Sequence, residues 1–139
     1  MRALVVYETT YGNTEQIALA MGDAIGADVV AAGSVIVADL VGYDLLLIGS
    51  PTHGGTYTEG IEALFDASPA LKGIPVAAFD TRLKWARFGY AASKIAQGLE
   101  EAGAQLVVPS EGFLVAKAKG PLREDKLERA VAWAKGIKV

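Results

Sequence analysis

The sequence predicts one α/β domain, a doubly wound three-layer sandwich in which a five-stranded parallel sheet carries helices on both faces. Two observations lead there. Short apolar runs alternate along the chain with segments whose apolar residues recur at helical spacing. No internal repeat, linker or low-complexity tract interrupts the alternation, and 139 residues suit a single domain, residues 1–139, with one sizeable core. Right-handed crossovers leave few other arrangements of such units.

Each element has its own signature. Ala3 to Tyr7 is a nearly continuous apolar run, as expected of a strand buried on both faces. Asn13 to Ile25 follows, with Ile17, Met21, Ala24 and Ile25 at helical spacing and Gly26 placed as a C-cap. Ala27 to Ala31 reads as a marginal strand, and Ser34 to Leu40 fits either a strand or a short helix. Asp44 to Ile48 is a buried strand ending at Gly49. Ile61, Leu64 and Phe65 mark a short helix closed by Ser68-Pro69, and Ile74 to Phe79 is the next strand. Ala92, Ile95, Ala96 and Leu99 define another helix, with Gly103 past its end. Gln105 to Val108 is the last strand, continued or flanked by Gly112 to Val115. Leu127, Ala130, Val131 and Ala134 form the apolar stripe of a final helix entered through Gly120-Pro121, with Trp133 beside the stripe as packing.

Composition narrows the function. With 52% hydrophobic and 21% charged residues the chain is neither disordered nor fibrous. The absence of cysteine excludes disulfides, thiolate metal sites and thiol catalysis, and a single histidine gives little support to a metal centre or a Ser-His-Asp triad. No catalytic residue is therefore assigned. The most apolar uncharged stretch, Val29 to Ala38, is too short to span a bilayer, and the first residues lack a signal-peptide core. A cytoplasmic protein without membrane insertion is the expectation. Residues 1–81 hold two basic and ten acidic groups, net −8, whereas residues 82–139 hold eleven and six, net +5. An overall charge of −3 and a low isoelectric point argue against nucleic acid as partner.

In an open parallel sheet, ligands bind beyond the carboxyl ends of the strands where the strand order reverses. Three strand-to-helix loops look functional. Thr9-Thr10-Tyr11-Gly12-Asn13-Thr14 leads straight into a helix, whose N-terminus offers unpaired N–H groups to a phosphate, with threonine hydroxyls to add hydrogen bonds. It has neither the lysine of a Walker loop nor the glycine spacing of a dinucleotide fingerprint, and taken alone it also fits an ordinary capped turn. Gly49-Ser50-Pro51-Thr52-His53-Gly54-Gly55-Thr56 is the second, its glycine pair permitting a tight turn or close backbone approach. The third is Asp80 to Tyr90, rich in aromatic and basic residues.

Tyr7-Glu-Thr-Thr-Tyr-Gly-Asn-Thr-Glu15 resembles the phosphate loop of flavodoxins, and Gly49-Ser-Pro-Thr-His-Gly-Gly55 resembles their second flavin loop. The length and element sequence extend the resemblance to the short-chain type over the whole chain. It implies strand order 2-1-3-4-5 with FMN at the switch point, a placement for which flavodoxin is itself a standard example. The FMN phosphate would rest on Thr9, Thr10, Tyr11, Gly12, Asn13 and Thr14, and Pro51, Thr52, His53, Gly54 and Gly55 would border the ring. The resemblance further implies that the peptide between Gly54 and Gly55 turns over on reduction and that His53 covers one flavin face. Asp80 and Trp85 complete the implied cofactor contacts, Trp85 standing where a stacking tyrosine is usual, with Phe88 the other ring that could supply the stacking face, and Arg82 where an acidic residue is common. Tyr11 departs from the threonine frequent in electron carriers.

Two functions follow from the resemblance. One is an electron-transfer flavoprotein cycling FMN between oxidised, semiquinone and hydroquinone states, a monomer exchanging electrons with redox partner proteins, a reductase and an acceptor. The other is a small FMN-dependent oxidoreductase, quinone reductase or protoporphyrinogen-oxidase-like, acting on a small substrate. Arg82, Lys84 and Arg87 would place positive charge beside the flavin, favour its anionic reduced form and make the potential less negative than in acidic relatives. The same charges could recognise an anionic substrate or an acidic redox partner. A receiver domain of the same topology would need an acidic cluster at the first strand end, and Glu8 alone does not supply it.

Overall fold

The computed structural model describes residues 1–66, 69–85 and 88–139; Ser68 and Arg87, singled out above, lie outside the described residues. Its strands are β1 (Ala3–Tyr7), β2 (Asp28–Ala31), β3 (Leu45–Pro51), β4 (Pro75–Arg82), β5 (Gln105–Leu106) and β6 (Glu111–Leu114). Its α-helices are α1 (Asn13–Ile25), α2 (Glu59–Phe65), α3 (Ala91–Glu101) and α4 (Lys126–Lys135). All strand pairs are parallel and the order is β2-β1-β3-β4-β5, with β6 also against β4. The doubly wound sandwich predicted from the alternation is the fold observed.

Alternation along the strands builds two cores. Leu4, Val6, Leu46, Ile48, Val76 and Ala78 face one side, where Ile61 and Leu64 of α2 and Ile95 and Leu99 of α3 meet them. Ala3, Val5, Leu45, Leu47, Ala77 and Phe79 face the other, under Ile17 and Met21 of α1 and Ala130 and Ala134 of α4. Successive residues of a strand point to opposite faces, so a continuous apolar run is what a sheet covered on both sides demands. Trp133 packs edge-on against Phe79 and Phe113, with ring centroids 6.2 and 6.3 Å away. Phe79 occupies the space where a side chain on Gly49 would stand, so this glycine keeps β3 and β4 in register at the end nearest the site.

Several boundaries differ from the sequence reading. β3 continues past Gly49 to Pro51, and β4 continues past Phe79 through Asp80, Thr81 and Arg82. The ambiguous segment is two 3-10 turns, Ala32–Ser34 and Val37–Gly42. The fifth strand is split: from Leu106 to Glu111 the edge chain advances five residues while β4 advances three, from Val76 to Phe79. The surplus bends the chain outward as a bulge does and lets β6 resume against the end of β4. Helix α4 begins only at Lys126, five residues beyond Pro121, and Leu127 is 42% exposed, because the buried stripe runs through Ala130 and Ala134.

Candidate functional site

A cavity of about 240 Å³ lies beyond the carboxyl ends of β1, β3 and β4. It sits where the order reverses, since β2 lies on one side of β1 and β3, β4 and β5 on the other. The loop after β1 contributes Thr9, Thr10, Tyr11, Asn13 and Thr14 to its wall, and the loop after β3 contributes Pro51, Thr52, His53 and Gly54. Thr81, Arg82 and Leu83 close it from β4, and Val115 and Ala118 from the segment after β6.

The first loop is shaped by Gly12, which caps α1 in the left-handed region at φ 91°. Its N–H donates to Thr9 Oγ1 at 2.9 Å, so a threonine turn sets the helix start. Nothing lies within 4 Å of the point a Gly12 side chain would reach, which leaves the approach to the helix N-terminus open. Thr14 is buried and shares a hydrogen bond with Thr81 across 2.8 Å, tying α1 to β4. Thr10 Oγ1 lies 3.0 Å from His53 Nε2, and the Tyr11 ring stands edge-on to His53. His53 thus joins the first two loops while its side remains exposed.

The second loop is a two-residue hairpin. His53 N–H donates to the Thr56 carbonyl at 2.9 Å and Thr56 N–H returns to the His53 carbonyl at 3.2 Å. Gly54 at φ 60° and Gly55 at φ 80° occupy the two central positions, the positive-φ pair that a type I′ turn requires. Gly55 is buried, and its carbonyl accepts from Lys94 Nζ at 2.6 Å; the same ammonium reaches the Phe88 carbonyl at 3.1 Å. One lysine of α3 therefore fastens the second loop to the third.

Asp80 and Trp85, expected as cofactor contacts, do not line this cavity. Asp80 is not in a loop but in β4, fully buried, and it does not line the cavity. Residues i and i+2 of a strand share a face, so Arg82 grips it bidentately, Nε to Oδ1 at 2.7 Å and Nη2 to Oδ2 at 2.8 Å. Asp80 Oδ2 also accepts from the Ala92 N–H at 2.8 Å, while Thr52 Oγ1 accepts from the Ala91 N–H at 2.9 Å. Together these two side chains cap α3 from outside it. Burial pushes the Asp80 carboxyl above the usual carboxylate range, against the opposing pull of Arg82. Arg82 stacks over Tyr90 at 3.7 Å from the ring centroid, so its charge is already compensated and its contact engaged. Trp85 is 84% exposed and stands outside the cavity wall.

Glu8, at the end of β1, accepts from the Thr58 hydroxyl and from the Gly60 N–H at 2.9 Å, anchoring the start of α2. The sequence reading missed Thr81, Leu83, Val115, Ala118 and Lys94. A signal existed for two of them: Val115 to Pro121 follows the last strand at its carboxyl end and is a fourth loop of the same kind. Among the described residues no cluster of three or more His, Asp or Glu could hold a metal, and no helix is long and apolar enough to cross a membrane.

A Thr-rich helix N-terminus and a glycine hairpin flanking the switch point of a 2-1-3-4-5 sheet define the flavodoxin-like class of α/β domains. The family model for flavodoxin matches residues 5–133, and the chain belongs to the flavodoxin family. Its fold is similar to that of a flavodoxin from the domain Archaea, at 24% identity and TM-score 0.80, covering 96% of this chain and 94% of that one. Oxidised flavodoxin 1 from Bacillus cereus gives 20% and 0.80, covering 97% and 95%. A flavodoxin, WrbA-like protein from Agrobacterium tumefaciens gives 18% and 0.78, covering 98% and 94%. Curated proteins give no match.

Proposed function

We propose that this chain binds FMN in the cavity between its first two loops and acts as an electron carrier between proteins. The observation that carries the reading is the α1 N-terminus, an open helix end fringed by Thr9, Thr10, Asn13 and Thr14 at the switch point. The donor set fits a phosphate dianion: hydroxyls, an amide and backbone N–H groups, with no carboxylate from Thr9 to Thr14. Tyr11 and Gly12 complete that loop. Pro51, Thr52, His53, Gly54 and Gly55 would border the ring system, and the apolar side chains of Leu83 and Val115 would keep water from it.

When bound, FMN supplies one- and two-electron redox chemistry. The protein's own contribution is to hold the group and to fix the carbonyls and N–H groups of the 53–56 hairpin beside it. As a carrier the chain would act as a monomer in the cytoplasm, meeting a reductase and an acceptor in turn. A small FMN-dependent oxidoreductase acting on a quinone or porphyrinogen is the second reading. It is favoured by Tyr11, a half-exposed ring at the rim where carriers often have threonine.

Titration of flavin-free protein with FMN and with riboflavin, followed by flavin fluorescence, tests the proposal. Tight FMN binding with far weaker riboflavin binding is expected. Equal affinity for both would remove the phosphate loop from the site, and no FMN binding would overturn the reading. Rapid turnover of NAD(P)H with a soluble quinone would move the assignment from carrier to enzyme.

A further inference from the structure

We propose that the rim of this cavity is a docking surface for a partner protein with an acidic face, anchored on Trp85 and Leu83. The inference deepens the carrier reading and rests on it. Residues 9–14, 51–58, 83–85, 88–90 and 115–121, described segments around the cavity, contain no aspartate or glutamate and hold Lys84, Lys117 and Lys119. The chain as a whole has net charge −3, so with +3 on these segments the remainder carries −6. The asymmetry along the sequence thus becomes an asymmetry in space, a basic rim on an acidic body.

The carboxylates nearest the rim do not cancel it. Of the carboxylates that adjoin these segments, Glu8 is turned into the start of α2, Glu15 accepts from the Tyr7 hydroxyl and Asp80 is buried and matched by Arg82, which leaves Glu59 exposed against three lysines. Lys84, Lys117 and Lys119 are exposed. The same segments carry large apolar side chains open to solvent: Trp85 at 84%, Leu83 at 42% and Tyr11 at 48%. Lys84 Nζ lies 5.9 Å from the Trp85 ring centroid and Lys119 Nζ 5.8 Å from that of Tyr11. A lone exposed Leu needs no explanation, but an exposed Trp and an exposed Tyr on the cavity's flanking segments, each within 6 Å of a lysine ammonium, have the composition of an interface centre. Like charges across an interface repel and opposite ones steer encounter, so the complementary surface is acidic. Trp85, which the cavity does not use, gains a role.

The test uses the full chain and two small haem proteins as probes, cytochrome b5 with an acidic haem edge and cytochrome c with a basic one. The chain has two tryptophans, so its nitrogen–proton NMR spectrum holds two indole signals, and that of Trp85 reports the rim while that of Trp133 reports the body. Cytochrome b5 should perturb the Trp85 signal, with affinity falling about tenfold or more on raising the salt. Cytochrome c should leave it unmoved, whatever it does to the acidic body. Lys84→Glu/Lys117→Glu/Lys119→Glu should abolish the response to cytochrome b5, and Trp85→Ala should weaken binding read by calorimetry. A Trp85 signal unmoved by the acidic probe, or moved equally by the basic one, overturns the proposal. So does co-sedimentation with vesicles of equal parts phosphatidylcholine and phosphatidylserine, which would make the rim a membrane surface. FMN binding is measured on the same samples, so absence of docking by the native chain with FMN binding intact counts against this inference alone, and absence of FMN binding by the native chain counts against the carrier reading.

Discussion

Lys94 Nζ donates to the Gly55 carbonyl at 2.6 Å, and through the Phe88 carbonyl at 3.1 Å it ties the 53–56 hairpin to the 83–90 loop. An ammonium bridging two carbonyls is a strong local restraint, because charge-assisted hydrogen bonds exceed neutral ones. Lys94→Met keeps the aliphatic stem and removes both bonds. It should cost about 1–2 kcal/mol in urea unfolding and weaken FMN binding. Unchanged stability together with unchanged FMN affinity would show that the two loops hold their positions without the bridge.

The hairpin glycines are not equivalent. A side chain on Gly54 would meet nothing within 4 Å, so Gly54→Ala carries only the positive-φ penalty of about 1–2 kcal/mol. At Gly55 the new Cβ would lie 2.5 Å from Phe88 Cβ and 2.6 Å from the Phe88 carbonyl carbon. Gly55→Ala must therefore push the third loop away from the second, costing more than Gly54→Ala and loosening FMN more. Chemical denaturation of both variants gives the order, and a larger loss at Gly54 would contradict it.

Asp80 gives stability an acid-side signature. Its carboxyl is held above the usual value of 3.8 because burial outweighs the pull of Arg82. A group that binds its proton more tightly folded than unfolded contributes most below its unfolded pKa, and that contribution is lost as pH rises through the folded pKa. Asp80→Asn has no proton to lose there. The stability of the native chain relative to Asp80→Asn should thus decline as pH rises through the acid range and level off above it. Urea titrations at a series of pH values would show this, and a difference that grows with pH would mean that Arg82 prevails over burial.

The sequence made the apolar parts legible and the polar ends less so. β1 and α1 match the bounds that their apolar patterns set, and Gly26 closes α1 at φ 68° as a C-cap glycine should. β3 and β4 run on past the apolar residues because the pairs Ser50↔Asp80 and Pro51↔Thr81 continue the ladder where side chains turn polar. Pro51, Thr81 and Arg82 of these extensions line the cavity, so the apolar pattern fails where the cavity begins. Residues of the first two loops line one cavity, and each loop was legible because it is a short local segment. Asp80 and Arg82 looked like loop residues; only their position in a strand puts both on one face. No local pattern could have joined Thr14 to Thr81, 67 residues apart.

That last pair offers a separation of structure from binding. Thr14 and Thr81 share a 2.8 Å hydrogen bond between hydroxyls, both residues are buried, and both line the cavity. Thr14→Val leaves the Thr81 hydroxyl without its partner, a cost of about 1–3 kcal/mol for a buried polar group. Thr14→Val/Thr81→Val replaces both hydroxyls with methyl groups of similar shape, so the double variant should lose less than the sum of the two single losses. FMN binding should behave otherwise. If the Thr14 hydroxyl turns to the phosphate on binding, Thr14→Val lowers the preference for FMN over riboflavin, and adding Thr81→Val does not restore it. Restoration of that preference in the double variant would assign Thr14 to the packing of α1 on β4 alone and leave the phosphate to Thr9, Thr10 and the helix N–H groups.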